Sequence, residues 1–395
     1  MSAKEFRLLV VDDNEDNRYT LLQRLRRQGY PTAAFAVDGL EALRILRTEP
    51  FDLVLLDVMM PELNGYEVLE QMKSDPQLRD VPVIMISALD QLESVVRCIE
   101  LGAEDYLAKP FNATLLKARV GASLEKKRLR DSLRTSLQRL EQELDAARRL
   151  QLGMLPNEFP RPCAHFPVAL HALMEPAREV GGDFFDFFCT LPHILTFAVA
   201  DVSGKGADAA MFMARTRSAV RLANELMQQM DGPGTSPAAV LEAVNRELCQ
   251  NNRERMFVTL FLGFLDMTSG VVEFVNAGHP MPYRLAPSAD IQRVDAKPQT
   301  PLGVRSSAGY TTHRIQLAPG EALFVCSDGI ADATNTAAEM YGEARLEAAL
   351  GECKLGTPSM IINNIKGAID AFVAGAPAAD DITVLALRWQ PPIMT

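Results

Sequence analysis

The chain has 395 residues, 48% of them hydrophobic and 23% charged, with a formal net charge of −11. At roughly 100–200 residues per domain, that length predicts two or three packed domains. The acidic balance excludes nucleic acid as the main ligand, because no concentrated basic surface is evident. The cysteines (Cys98, Cys163, Cys189, Cys249, Cys326 and Cys353) occur singly, with no Cys-x-x-Cys pair. Neither zinc nor a disulfide framework is indicated, and a reduced, cytoplasmic protein is expected. No apolar run reaches the ~20 residues of a membrane span, and Met1–Arg7 carries no hydrophobic signal stretch.

The first part alternates short apolar runs with amphipathic ones. Leu8-Leu9-Val10-Val11 ends in Asp12-Asp13, and Leu21, Leu22 and Leu25 then recur at helical spacing up to Gly29. Thr32–Ala36 reads as a second strand and Leu40–Leu46 as a second helix. Asp52–Leu56 ends at Asp57, and Val68, Leu69 and Met72 mark a third helix. Val83–Ile86 ends at Ser87, Val95, Val96, Ile99 and Leu101 mark a fourth helix, and Tyr106-Leu107-Ala108 is a fifth strand before Lys109-Pro110. Strands alternating with helices predict a doubly wound α/β domain. Its five-stranded parallel sheet is covered on both faces, with the site at the carboxyl ends of the strands.

Asp12, Asp13, Asp57, Ser87 and Lys109 all fall at such ends. Clustered carboxylates repel unless a cation lies between them, and hard oxygen ligands select Mg²⁺ or Mn²⁺. Asp57 can act as a nucleophile toward phosphorus, Asp12 and Asp13 can hold Mg²⁺, Lys109 can balance an acyl phosphate, and Ser87 can donate to it. With Asp57-Val58-Met59-Met60-Pro61, Gly65, Ser87-Ala88 and Lys109-Pro110-Phe111, residues 5–125 resemble the receiver domain of two-component response regulators. The resemblance implies phosphorylation of Asp57 by a histidine kinase, and Asp57 and a backbone carbonyl of Met59 as further ligands of the Mg²⁺. It also implies a switch in which Ser87 closes on the phosphoryl group and Tyr106 turns inward, and a cis peptide before Pro110.

From Leu115 a helical pattern runs on. Leu133, Leu137, Leu140, Leu144, Ala147, Gln151 and Met154 alternate spacings of four and three. Such a heptad seam predicts a two-stranded coiled coil and hence a homodimer, with Gln151 as a polar seam residue; the alternative is a lone helix packed on its own domain. Gly153 and Pro156 end the helix, and Pro160 and Pro162 form an extended lead-in to the last part of the chain.

That last part reads as strands at Val168–Met174, Ile194–Ala200, Val258–Leu265, Val271–Asn276, Pro282–Leu285, Leu323–Cys326 and Val384–Leu387. Helices are expected over Ala207–Met230, Pro237–Asn251 and Pro358–Val373. Grouped antiparallel strands and helices indicate an α+β layered domain. Asp183, Asp201, Asp328 and Asp380 lie at strand junctions here. A single Asp-Gly pair reads as a tight turn, but four such motifs in one domain point to a two-metal hydrolase. In such a site two cations about 3.5–4 Å apart clamp a phosphate and acidify a water.

Val180-Gly181-Gly182-Asp183, Ala200-Asp201-Val202-Ser203-Gly204-Lys205-Gly206, Asn276-Ala277-Gly278-His279, Ser327-Asp328-Gly329 and Asp380-Asp381-Ile382-Thr383 resemble the metal-dependent Ser/Thr protein phosphatases of the bacterial sporulation- and stress-regulator branch, over residues 145–390. The resemblance implies a β-sandwich flanked by helices and two Mn²⁺ or Mg²⁺ ions. Asp201 would bridge them, the Val202 carbonyl would be a ligand, Asp328 and Asp380 would bind one ion, and Asp183 would bind the other or orient its water. Asp186 and Asp381 are further acids of the same motifs, and Arg178 could bind substrate phosphate. His279 reads as a hydrogen-bonded turn residue rather than a general acid. Cys326, Met211 and Met213 read as core, and Trp389 as packing beyond the last strand.

The expected organisation has three segments: a receiver over 1–123, a coiled-coil linker over 124–155 and a phosphatase over 156–395. The reading is a response regulator that controls a phosphoserine/phosphothreonine protein phosphatase. The family points to an anti-sigma-factor antagonist as the phosphoprotein substrate, without nucleic acid or membrane as partner. The alternative is a non-catalytic adaptor that sequesters a partner when Asp57 is phosphorylated.

Overall fold

The computed structural model describes residues 6–88, 92–160, 166–231, 234–287 and 291–391; Pro162 and Cys163 lie outside them. The chain divides into two compact units, Met1–Leu140 and Glu141–Thr395.

In the first unit, β1 (Leu8–Val11), β3 (Leu53–Asp57) and β4 (Val83–Ser87) are buried along their whole length, and apolar up to the polar residue that ends β3 and β4. With the edge strands β2 (Ala34–Ala36) and β5 (Asp105–Ala108) they form one parallel sheet in the order β2-β1-β3-β4-β5. Side chains alternate between its faces. Leu9, Val11, Val54 and Leu56 meet the apolar residues of α2 (Gly39–Thr48) and α3 (Gly65–Ser74). Leu8, Val10, Leu53 and Leu55 meet α1 (Glu15–Arg27) and the start of α5 (Ala113–Met154). A further helix, α4 (Leu92–Glu100), precedes β5. Asn14 caps α1, and Asn64 with Glu67 forms a capping box on α3. β2 is shorter than its sequence pattern suggests and Phe35 on it is exposed.

Helix α5 is a single run of 42 residues. Leu116, Val120 and Leu124 at its start are buried in the sheet's helical cover. Leu133, Leu137 and Leu140 of the heptad pattern are exposed, at 62%, 51% and 52%.

The second unit stacks two five-stranded sheets, antiparallel wherever their strands pair. Its strands are β6 (Val168–Glu175), β7 (Phe184–Leu191), β8 (Ile194–Val202), β9 (Val258–Asp266), β10 (Val271–Ala277), β11 (Tyr283–Leu285), β12 (Gln292–Arg293), β13 (His313–Gln316), β14 (Ala322–Cys326) and β15 (Ile382–Trp389). One sheet runs β13-β10-β9-β8-β7 and the other β12-β11-β14-β15-β6. Their facing side chains share a core that extends to α6 (Ala207–Asp231) and α7 (Pro237–Leu248). The outer face of the second sheet packs on α8 (Gly342–Cys353) and α9 (Pro358–Val373). Strands β7, β12 and β13 and helix α8 have no counterpart in the sequence reading.

Trp389 is the last residue of β15 rather than lying beyond it. Its Nε1 donates to the Met267 carbonyl at 2.8 Å, and its ring covers Gly270. Gly270 closes the β9–β10 hairpin at φ +76°, and a Cβ there would stand 2.5 Å from the ring. Met213 is core, whereas Met211 is 73% exposed. Gly270→Ala combines a left-handed backbone with overlap against a buried ring, and should cost roughly 2–4 kcal/mol. Urea unfolding followed by the fluorescence of Trp389, the only tryptophan of the chain, measures it.

Candidate functional sites

The first site is built where β1, β3, β4 and β5 end. Asp12 and Ser87 are fully buried, Asp57 is 3% exposed, and Asp13 faces solvent. Asp12, Asp13 and Asp57 each bring a carboxylate oxygen within 4.8 Å of the others, the one such trio of acids among the described residues. Lys109 Nζ lies 2.8 Å from Asp12 Oδ2 and 3.0 Å from Asp57 Oδ2. Asp12 is further held by the Asn14 N–H and the Asn17 carboxamide. Burial, with the charges of Asp12 and Asp13, pushes the Asp57 carboxyl up to about 6 against the pull of Lys109. Burial works against the Lys109 ammonium, yet its bonds to Asp12 and Asp57 outweigh it and raise the pKa. Three carboxylates against one ammonium leave negative charge that a divalent cation fits. Tyr106 pairs with Met85 across β4–β5 and is half-buried, the Met59 side chain is exposed, and the Lys109–Pro110 peptide is cis.

The second site draws on four junctions of the sandwich. Asp183 leads into β7, Asp201 is the penultimate residue of β8, Asp328 follows β14, and Asp380 precedes β15. Asp183 is 2% exposed, and its Oδ2 has no hydrogen-bond donor among the described residues. Burial raises its pKa well above the usual carboxylate range, and the facing charge of Asp201 adds to this; the Ser327 and Thr383 hydroxyls oppose it. Burial, followed by the charges of Asp328 and Asp380, pushes Asp201 up to about 6. Asp328 is raised by burial, then by Asp332 and Asp380. An orphaned, buried carboxylate oxygen among mutually repelling acids is a donor set suited to a hard divalent cation. The Val202 carbonyl faces the same loop: a Cβ on Gly182 would stand 2.9 Å from it. Lys205 Nζ reaches Asp380 at 3.1 Å and the Ala379 carbonyl at 2.6 Å.

Three sequence-singled acids and bases stand elsewhere. Asp186 is two places into β7 and 1% exposed, and it pairs with Arg217 at 3.2 Å and Arg221 at 2.6 Å on α6. Strand alternation thus turns it away from the acid cluster and gives its charge to two arginines. Asp381 neighbours the cluster, but its oxygens accept from the backbone N–H groups of Ala177, Gly182 and Asp183, at 2.7, 2.7 and 3.4 Å. It shapes the loop that presents Asp183. Arg178 lies exposed on that loop.

His279 is buried in its turn, with its N–H on the Asn276 carboxamide and its Nδ1 3.0 Å from the Thr259 hydroxyl; burial drives its pKa down to about 3. Its contacts are those of a hydrogen-bonded turn residue. The residue that sequence reasoning missed is Gln151. Rather than a seam position, it is 4% exposed and exchanges hydrogen bonds with both backbone groups of Gly181. Cys326 and Cys353 are buried, as is Cys98, while Cys189 is exposed. Among the described residues no helix is long and apolar enough to cross a membrane.

The two sites and folds define a response-regulator receiver joined to a domain with the PP2C fold. The receiver family model matches residues 8–121. The chain belongs to the Stage II sporulation protein E (SpoIIE) family, whose model matches residues 192–390. It is 29% identical over 265 residues to protein IcfG of Synechocystis, covering 62% of this chain and 41% of that one. It is 42% identical over 137 residues to a probable cyclic di-GMP phosphodiesterase of Vibrio cholerae, covering 35% of this chain and 31% of that one. The chain therefore spans less than half the length of either relative. Among solved structures, the SiaA-PP2C domain of Pseudomonas aeruginosa shares the fold at a TM-score of 0.55 and 20% identity, over 65% of this chain and 99% of that one. The phosphatase family is metal-dependent.

The raised acids make the metal-free second unit sensitive to pH. Asp201 moves from 3.8 unfolded to about 6 folded, so between those values the folded state binds more protons than the unfolded state. Stability then falls as pH rises through that window and stays low above it. In chelator, thermal unfolding read by Trp389 should occur at lower temperature at pH 7.5 than at pH 5.5. Asp201→Asn should flatten this dependence and raise the metal-free midpoint at pH 7.5; an unchanged slope would contradict the crowding of these acids.

Proposed function

We propose that the chain is a response regulator in which phosphorylation of Asp57 controls a metal-dependent phosphoserine/phosphothreonine protein phosphatase. The observation that carries this reading is the buried Asp183 with an unpartnered oxygen facing Asp201, on the same chain as the Asp12–Lys109–Asp57 cluster. The assignment divides the chain into a receiver (1–123), a linker (124–155) and a phosphatase (156–395).

In the receiver, an Asp57 oxygen attacks the phosphorus of a histidine kinase's phosphohistidine. The P–N bond breaks and an acyl phosphate forms. Lys109, already 3.0 Å from Asp57, is placed to balance the new charge. Asp12, Asp13 and Asp57, with the Met59 carbonyl, would hold Mg²⁺, and Ser87 and Tyr106 would respond to the phosphoryl group. In the phosphatase, bound Mn²⁺ or Mg²⁺ would neutralise phosphoryl oxygens and acidify the attacking water. Asp183, Asp201, the Val202 carbonyl, Asp328 and Asp380 would hold these ions. Water oxygen adds to phosphorus, and the P–O bond to the substrate serine or threonine breaks. The family points to an anti-sigma-factor antagonist as substrate.

The expected outcome is Mn²⁺-dependent release of phosphate from a phosphoprotein, abolished by Asp201→Asn or Asp328→Asn and absent in excess chelator. Asp57→Ala should abolish labelling by an acyl-phosphate donor and Mg²⁺. A folded protein that binds its partner but releases no phosphate under any metal condition would favour the adaptor reading instead.

A second copy of the chain is the proposed partner for the exposed Leu133, Leu137 and Leu140 of α5, which repeat at heptad spacing. Leu137→Asp with Leu140→Asp should convert a dimer to a monomer in sedimentation, with both domains folded; a wild-type monomer at tens of micromolar would reject the seam.

A further inference from the structure

The linker helix ends on the loop that carries Asp183. Between Leu124 and Gln151, every position of α5 is exposed or half-buried. Gln151 is the first residue after that stretch to be buried, at 4% exposed. A carboxamide in that position is costly unless both of its groups are matched, and here both are matched by a single residue. The Gly181 N–H donates to Gln151 Oε1 at 3.1 Å, and Gln151 Nε2 donates to the Gly181 carbonyl. The next two backbone N–H groups, of Gly182 and Asp183, go to Asp381. The loop is therefore gripped at consecutive residues from two directions, one of them helix α5. Glycine is needed for this: a Cβ on Gly181 would run into the Asp381 carboxylate. Leu152 and Leu155 pack into the core of the second unit beside Gln151 and hold the helix end in place.

We infer that Gln151 is a positioning residue for the metal site: it holds the Gly181–Asp183 segment from helix α5, and so sets how tightly Asp183 and its neighbours take a divalent cation. The inference rests on the metal-dependent reading proposed above. Its test is Mn²⁺ binding to the full chain, followed by the electron paramagnetic resonance of the free ion and counting only the binding that Asp201→Asn removes. Gln151→Met keeps the side-chain volume and removes both hydrogen bonds. It should weaken that Mn²⁺ binding by roughly five-fold or more, the scale of a lost buried hydrogen-bond pair. Leu155→Ala loosens the same helix end without touching Gly181, and should lower the unfolding midpoint while leaving Mn²⁺ affinity within about two-fold of wild type.

Binding by Gln151→Met that equals wild type would overturn the inference, and so would an equal loss in Leu155→Ala, which would make Gln151 ordinary packing. If Asp201→Asn removes no Mn²⁺ from the wild-type protein, the metal reading itself fails and takes the inference with it. The three results are distinct.

Discussion

Carboxylates brought together at strand ends repel one another, and the repulsion grows as water is withdrawn. Both units gather acids in this way, so each needs opposite charge supplied from somewhere. In the receiver part of it is built in. Lys109 stands between Asp12 and Asp57 and neutralises part of the cluster whatever ion is present. In the second unit Asp183, the most buried acid of the cluster, has an oxygen with no such partner among the described residues; Lys205 reaches only the outlying Asp380. The first cluster is thus partly neutralised in advance, while the second leaves more of its repulsion for a bound cation to relieve.

That difference explains where hydrogen bonds are spent in the second unit. A loop that must hold an unneutralised carboxylate in a buried place needs its backbone fixed by other means. Asp381 fixes it from the β15 side and Gln151 from the α5 side. On α6, Asp186 takes Arg217 and Arg221, while Arg215 pairs with Glu247. Without Asp186, two guanidinium groups would lose their carboxylate on the helix after the Asp201 loop.

Much of this was legible from residue pattern. The uninterrupted apolar runs of β1, β3 and β4 identify strands buried on two faces, and the polar residues at their ends mark where the acid cluster of the first unit gathers. The acids at strand junctions, Asp183 after Gly182 and Asp328 before Gly329 among them, mark the acidic corner of the second unit. What stayed hidden has physical causes. Strand β7 reads Phe-Phe-Asp-Phe-Phe and has no two-residue alternation, because Asp186 faces arginines and its aromatic neighbours are buried on both sides. Once β7 is unseen, Asp183 and Asp186 look like one cluster, although three residues along a strand reverse the face. Strands β12 and β13 are short and exposed or half-buried, so no apolar signal marks them. Gln151 falls on the heptad phase by spacing alone, and nothing in one dimension tells a seam glutamine from one bonded to a loop thirty residues on. Leu133, Leu137 and Leu140 keep the same phase and are exposed.

The uncovered stretch of α5 has a consequence for how such a chain can change. No side chain of α5 between Leu124 and Gln151 is buried, so the composition of the stretch answers to ion pairs such as Lys126–Glu104 and Lys127–Asp52 and to the heptad leucines rather than to a core. Its length is another matter. Each residue inserted or deleted turns everything beyond it by ~100° and shifts it by ~1.5 Å along the axis. Changes of about seven or eleven residues nearly restore the original facing. The stretch acts as a ruler with an angular scale, along which a change in count turns Gln151 relative to the heptad leucines.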